Sequence, residues 1–265
     1  MRPPHAKPKQ PPRPTRPEPH LNQPTERETE CVFGLRAALA VAAKRPADLR
    51  GVFVHDSMQS VCEPLLRVAH AQRVSVTVCG HEELAARARS GQHEGVLVIA
   101  SRRAWVAPKV MLASLRANKG VVIALDRVRN PYNIGAIMRS AAFFGLQGVL
   151  FGSRAPEPDL PDDSVRVAEG GVEHLQLSRT TDLADTLMRF RADGVHVVGA
   201  ESDATDDALR YPYPRPSVLV LGHEREGISD RVRAQCDHMV CIRGAGTIES
   251  LNVAIAASLV IAALR

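Results

Sequence analysis

A chain of 265 residues, 45% of them hydrophobic and with a formal charge of only +5, holds enough apolar material for one large core or two smaller ones. Its five cysteines (Cys31, Cys62, Cys79, Cys236 and Cys241) form no CxxC pair, so zinc and redox motifs have no support, no metal is expected, and reduced thiols in a cytoplasmic protein are. No apolar h-region opens the chain and no apolar run approaches the roughly 18 residues of a membrane span, so neither a secretory signal nor a membrane partner is expected.

Residues 1–29 contain nine prolines, six basic and three acidic side chains. Such a segment buries too little surface to offset its ordering entropy and is expected to be a disordered tail. Its basic balance suits contact with an anionic partner, and simple solvation suits it equally. Residues 30–103 then alternate between helical and extended patterns. Helices are expected at Phe33 to Lys44, Val61 to Gln72 and Glu82 to Ala88. Strands are expected at Gly51 to Val54, Val74 to Val78 and Val96 to Ile99. Three strands and three helices make a small α/β domain. His55 and Asp56 follow a strand there but lack a nucleophile partner. Residues 104–119 connect the halves, and Val106 to Leu115 reads either as a short helix or as a linker.

Val121 to Leu125 is a continuous apolar run of the kind a parallel sheet buries on both faces. The polar loop Asp126 to Tyr132 follows, then a helix from about Asn133, its expected N-cap, to Phe144, with Gly145 as its stop. Further strands are expected at Gly148 to Phe151, Val195 to Val198, Val218 to Leu221 and Met239 to Ile242, with a helix from Leu183 to Phe190. This alternation predicts a parallel sheet with helices on both faces. Ligands in such sheets sit beyond the carboxyl ends of the strands, where three loops can meet. The chain closes on Gly244-Ala245-Gly246, the polar cluster Glu249-Ser250-Asn252, and a run so apolar that it predicts a buried helix. On composition alone, Arg139 is a solvent-facing helix arginine or an ion-pair partner, Gly222 to Gly227 is an ordinary polar turn, and the closing stretch is a loop capping a core helix.

Three segments in order, each after an apolar strand, point further. Asn133-Ile134-Gly135-Ala136-Ile137-Met138-Arg139 carries the pattern N-x-G-A-x-x-R. Gly222-His223-Glu224-Arg225-Glu226-Gly227 carries G-x-E-x-x-G. Ile242 to Asn252 carries I-x-x-x-G-x-x-x-S-L-N. Together they resemble the TrmH-type (SpoU) RNA 2′-O-ribose methyltransferases of the SPOUT superfamily, over residues 120–265. The Ile242-x-Gly244-x-Gly246 form and the stretch Ala168 to His174 are most similar to the YfiF-like branch. Phe33-Gly34-Leu35 and His93-Glu94-Gly95-Val96 resemble the L30e-like RNA substrate-binding domain that often precedes the catalytic one.

The resemblance implies a deep C-terminal trefoil knot, a homodimer through the knotted domain, and S-adenosyl-L-methionine as cofactor. Backbone of Gly222, Ile242 and Leu251 would contact the cofactor, with Leu221 and Gly246 beside them. It implies 2′-O-methylation of a ribose in rRNA or tRNA. Arg139 would assist deprotonation, by stabilising an alkoxide or acting through the RNA phosphate, because a guanidinium is itself a poor base. Asn133, Glu224, Ser250 and Asn252 would orient the ribose, the arginine and the loops. The chain departs from the commoner pattern at Arg243, Gly244 and Ala254. A non-catalytic RNA-binding or ribosome-assembly factor that keeps the fold is the alternative. A base-nitrogen methyltransferase is disfavoured by the S-L-N motif with its partner arginine.

Overall fold

The computed structural model describes residues 28–152, 160–247 and 250–264. The expected tail therefore lies outside the described residues except at Glu28 and Thr29, and Glu249 of the third motif lies outside them too. The first half contains, in chain order, β1 (Thr29–Phe33), α1 (Leu35–Lys44), β2 (Leu49–Val54), α2 (Glu63–Ala71), β3 (Val76–Val78), α3 (His81–Ala88) and β4 (Val96–Ser101). The sheet runs β1-β4-β2-β3. β4 is antiparallel to both neighbours, and β2 and β3 are parallel.

β1 corrects two expectations. Thr29 is not tail but pairs with Ser101, and Phe33 does not open a helix but pairs with Leu97. Only Val32 and Phe33 of this strand are buried, so it shows no period-2 pattern. Pairing with β4, a long-range contact, makes it a strand. Gly34 then turns the chain at φ 95°, a conformation a side chain would strain, and the helix starts one residue later. The two short cues of the first domain meet here: the Glu94 carboxylate accepts the Leu35 N–H at 2.9 Å, and Gly34 N–H donates to Val96 O at 3.2 Å.

The second half begins with α4 (Pro108–Asn118). Of the two readings for this stretch, helix and linker, the structure shows a helix. Its Met111 and Leu115 are fully buried, packed with Val122 and Leu150. Then follow β5 (Val121–Asp126), α5 (Pro131–Phe143), β6 (Gly148–Gly152), α6 (Asp162–Val167) and β7 (Gln176–Thr180). The chain continues through α7 (Leu183–Ala192), β8 (His196–Ala200), β9 (Asp206–Asp207), β10 (Ser217–Leu221), α8 (Asp230–Arg233), β11 (His238–Cys241) and α9 (Val253–Ala263). Every pairing in this sheet is parallel. Its order is β7-β6-β5-β10-β8-β11-β9. Every residue of β5 and β10 is buried. Alternate residues serve opposite faces. Ile123, Leu125, Leu219 and Leu221 pack with Ile137 and Met138 of α5 and Ala257 and Ile261 of α9. Val122, Ala124, Val218 and Val220 pack with Leu187 and Phe190 of α7.

α9 is not buried all round, as its composition predicts. Ala254, Ala257, Val260 and Ile261 face the core, while Ile255 and Leu259 are 55% and 39% exposed. One helix among packed neighbours can cover only the stripe that faces them.

The four-stranded and seven-stranded halves meet at the stretch Ala168 to His174. Gly170, at φ 83°, lies so close to α1 that a Cβ there would come within 2.7 Å of the Ala40 methyl. Beside it, Arg45 Nε donates to Glu173 Oε2 at 2.9 Å and Arg45 Nη1 donates to Ser101 O at 2.6 Å. The same guanidinium meets the Glu30 carboxylate, to which Arg103 Nε donates at 2.9 Å. The four side chains are only 14%, 7%, 13% and 8% exposed for Arg45, Glu173, Glu30 and Arg103. Removing one partner from such a cluster leaves an uncompensated charge out of water. Glu173→Ala is therefore expected to lower the unfolding free energy by about 3 kcal/mol, read as a fall in the urea midpoint. Glu173→Gln, which keeps an acceptor, is expected to fall between.

Candidate active site

The carboxyl ends of β5, β10 and β11 each carry one of the three motif loops, and the parallel order brings these loops to one edge. The first starts α5. Asn130, not Asn133, is its N-cap: Asn130 Oδ1 accepts the N–H groups of Tyr132 at 2.9 Å and Asn133 at 3.4 Å. Pro131 takes the first helical position, where its missing N–H costs nothing, so the helix begins three residues earlier than expected. This frees the Asn133 side chain. Gly135 is demanded by close packing, since a Cβ there would lie 2.7 Å from Ser164 O and from Val167 Cβ in α6.

Asn133 is 8% exposed and uses both halves of its carboxamide. Its Nδ2 donates to Glu224 Oε1 at 2.8 Å. Its Oδ1 accepts from Asn252 Nδ2 at 3.1 Å. Asn252 Oδ1 in turn accepts the N–H groups of Ala254 at 2.8 Å and Ile255 at 3.3 Å, capping α9. Three of the five expected catalytic residues thus form one hydrogen-bonded line joining all three loops. Arg139 is exposed on another side of α5, and among the described residues its guanidinium has no hydrogen-bond or ion-pair partner. Ser250 is exposed and likewise unpartnered among the described residues, so the structure does not bring it into the line.

The middle loop is held tightly. His223 and Gly227 exchange backbone hydrogen bonds at 3.0 and 2.9 Å, and His223 Nδ1 accepts the N–H groups of Arg225 and Glu226. Gly222 lies under Gly227, where a Cβ would come within 2.3 Å of its carbonyl carbon. Two residues to which the sequence assigned no role anchor the loop's exit. Asp126 Oδ2 accepts the Ser229 N–H at 2.7 Å, and Glu201 Oε1 accepts the Ile228 N–H at 2.8 Å. Glu201 follows β8, which lies between β10 and β11. Only that strand order, invisible in the sequence, marks it.

The third loop is open. Among the described residues a Cβ at Gly244 or Gly246 would meet nothing within 4 Å. Leu251 is 50% exposed and Leu221 only 2%. Burial pushes the Cys31 and Cys236 thiols up to about 12, so neither is a ready nucleophile. Among the described residues no group of three or more His, Cys, Asp or Glu side chains is placed to hold a metal ion, and no helix is long and apolar enough to cross a membrane.

The model of the SpoU rRNA Methylase family matches residues 120–262, the whole of the seven-stranded sheet and its motif loops. The chain belongs to the SpoU methylase family. It is 30% identical over 239 residues to the tRNA/rRNA methyltransferase YfiF of Escherichia coli O157:H7, spanning 90% of this chain and 68% of that one. It is 29% identical over 229 residues to the 23S rRNA (guanosine-2′-O-)-methyltransferase RlmB of Photobacterium profundum, spanning 86% and 93%. Its fold matches that of the SpoU methyltransferase AviRb of Streptomyces viridochromogenes in complex with AdoMet. The TM-score is 0.74 at 23% identity, over 91% of this chain and 90% of that one. The protein is an RNA methyltransferase of the SpoU family. The residues present fit a molecule such as the AdoMet of that complex: among the described residues the glycine backbone at 244 and 246 is open to approach, and the apolar Leu251 is half-exposed.

Because Asn252 both caps α9 and bridges to Asn133, Asn252→Ala removes two functions at once. The expected loss is about 2 kcal/mol of stability, measured by thermal unfolding, together with weaker S-adenosylmethionine binding by calorimetry.

Proposed function

We propose that this SpoU methyltransferase methylates the 2′-hydroxyl of a ribose in rRNA or tRNA, as a cytoplasmic homodimer. One observation carries the reading: the line Glu224–Asn133–Asn252 ties the three motif loops together while Arg139, on the same helix as Asn133, is exposed and unpaired among the described residues. RlmB, named for guanosine 2′-O-methylation of 23S rRNA, supports the ribose as acceptor.

S-adenosylmethionine, the cofactor of this proposal, would supply an electrophilic methyl group on a sulfonium. The protein's task is to orient the ribose and manage its proton. Arg139 presents a fixed positive charge that favours the alkoxide form of the 2′-oxygen or binds the neighbouring phosphate. Asn133 and Glu224 hold the loops whose backbone, at Gly222, Ile242, Gly246 and Leu251, would receive the cofactor, and Ser250 is free to meet the ribose. The same proposal includes the trefoil knot, for which the return of α9 onto α5 speaks: Ser258 Oγ lies 2.7 Å from Ser140 Oγ. It includes an L30e-like, RNA-binding role for the four-stranded domain.

The homodimer is supported by the apolar side chains left uncovered on α5 and α9. Tyr132 and Phe143 are 51% and 77% exposed, and Leu251, Ile255 and Leu259 are 50%, 55% and 39% exposed. Tyr132, Arg139 and Phe143 recur at near-helical spacing on one side of α5, Ile255 and Leu259 lie about one turn apart on α9, and Leu251 just precedes that helix's N-cap. An apolar surface of this kind beside a polar site marks an interaction face. Ile255→Asp is expected to convert a dimer to a monomer in light scattering, and an unchanged mass for that variant would refute the face.

The reaction is tested by tritiated methyl transfer from S-adenosylmethionine to total rRNA and tRNA from a strain lacking the protein. Label recovered in a nuclease-resistant 2′-O-methylated dinucleotide is the expected result. Cofactor binding without transfer to any RNA would replace the proposal with a non-catalytic RNA-binding factor. Arg139→Ala is expected to lower transfer by about 10²–10³-fold with cofactor affinity nearly unchanged, and undiminished turnover would remove Arg139 from the mechanism.

A further inference from the structure

We infer that Arg127 is a positioning residue, whose guanidinium braces the Gly222–Gly227 loop in the shape that receives the cofactor. This rests on the placing of the cofactor at that loop. Arg127 directly follows β5 and adopts φ 63°, the left-handed region that L-residues with long side chains avoid and glycine enters freely. Backbone strain of this kind persists where the surrounding structure over-determines it, and it clusters at functional sites. At this position glycine satisfies the backbone better than arginine does, so the reason for arginine lies in its side chain.

That side chain reaches across to the middle loop. Nη2 donates to Gly227 O at 3.0 Å, Nη1 meets the Glu226 carboxylate, and Nε lies 3.6 Å from Asp126 Oδ1. Asp126 meanwhile accepts the Ser229 N–H at 2.7 Å. Two consecutive residues at the end of β5 therefore clasp the loop between Glu226 and Ser229, one by a carboxylate on an N–H and one by a guanidinium on a C=O. Gly227 is the point where the loop closes on His223 and covers Gly222. Glu224 lies inside that closed turn, and its reach to Asn133 at 2.8 Å depends on the turn staying closed. Arg127 is 33% exposed and Glu226 65% exposed, so solvent screens their attraction. The brace acts through the directed fork of hydrogen bonds rather than through charge alone.

The test compares Arg127→Gly and Arg127→Lys with the full-length wild type, without RNA. Three quantities are read: the thermal midpoint without cofactor, amide hydrogen exchange at Gly227 and Ile228, and the calorimetric Kd for S-adenosylmethionine. Arg127→Gly relieves the backbone, so its midpoint is expected to stay at the wild-type value. Its two loop amides are expected to exchange faster, and its Kd to rise about tenfold, equivalent to about 1.4 kcal/mol. Lysine reaches Gly227 O or Glu226 but not both, and is expected to recover part of the affinity. Wild-type exchange and wild-type Kd in Arg127→Gly would overturn the brace. Faster exchange with an unchanged Kd would overturn instead the placing of the cofactor at this loop, and the positioning role with it.

Discussion

The carboxamide of Asn133 is the joint on which the site depends. A carboxamide donates and accepts from one side chain, and this one gives its N–H to Glu224 and takes a hydrogen bond from Asn252. Neither aspartate nor leucine offers both. The three residues are 91 and 119 positions apart along the chain, so the line closes only when β5, β10 and β11 occupy their places in the sheet. Burial makes the closure obligatory, because an amide this enclosed loses water and must find partners in the protein. The apolar strands, buried on both faces, bring the loops together, and the polar line fixes their register.

Around that line the loops differ in stiffness. The middle loop is closed by its own backbone, by His223, and by anchors from Asp126, Arg127 and Glu201. The third loop is open at Gly244 and Gly246 and has Arg243 turned outward to Thr205 O at 2.7 Å. Arg243, a departure from the commoner family pattern, therefore ties the open loop to the segment after β8.

Much of this was legible beforehand where local chemistry and global fold agree. Val121 to Leu125 and Val218 to Leu221 announced buried parallel strands because no polar residue interrupts them. The convergence of three loops followed from the rule that parallel sheets bind at their carboxyl edge. What escaped notice depends on distant contacts. β1 and β7 are strands through their neighbours rather than through their pattern. Asn133 was misplaced as a cap because Asn130 and Pro131 form a better helix start. Glu201 has no motif at all and matters only because β8 lies between β10 and β11. The exposed side of α9 escaped because composition reports how apolar a helix is, not how much of it neighbours cover.

The ion cluster at the domain seam has a consequence for how the molecule answers salt. Exposed arginines that meet a polyanion do so through counterion release, and added electrolyte weakens them steeply. Arg45, Glu30, Glu173 and Arg103 are largely withdrawn from solvent, where mobile ions screen poorly. Electrolyte that detaches a polyanion from the surface leaves the angle between the two sheets unchanged. The molecule that lets go of its ligand is then still the shape that bound it, and rebinding requires no refolding of the seam.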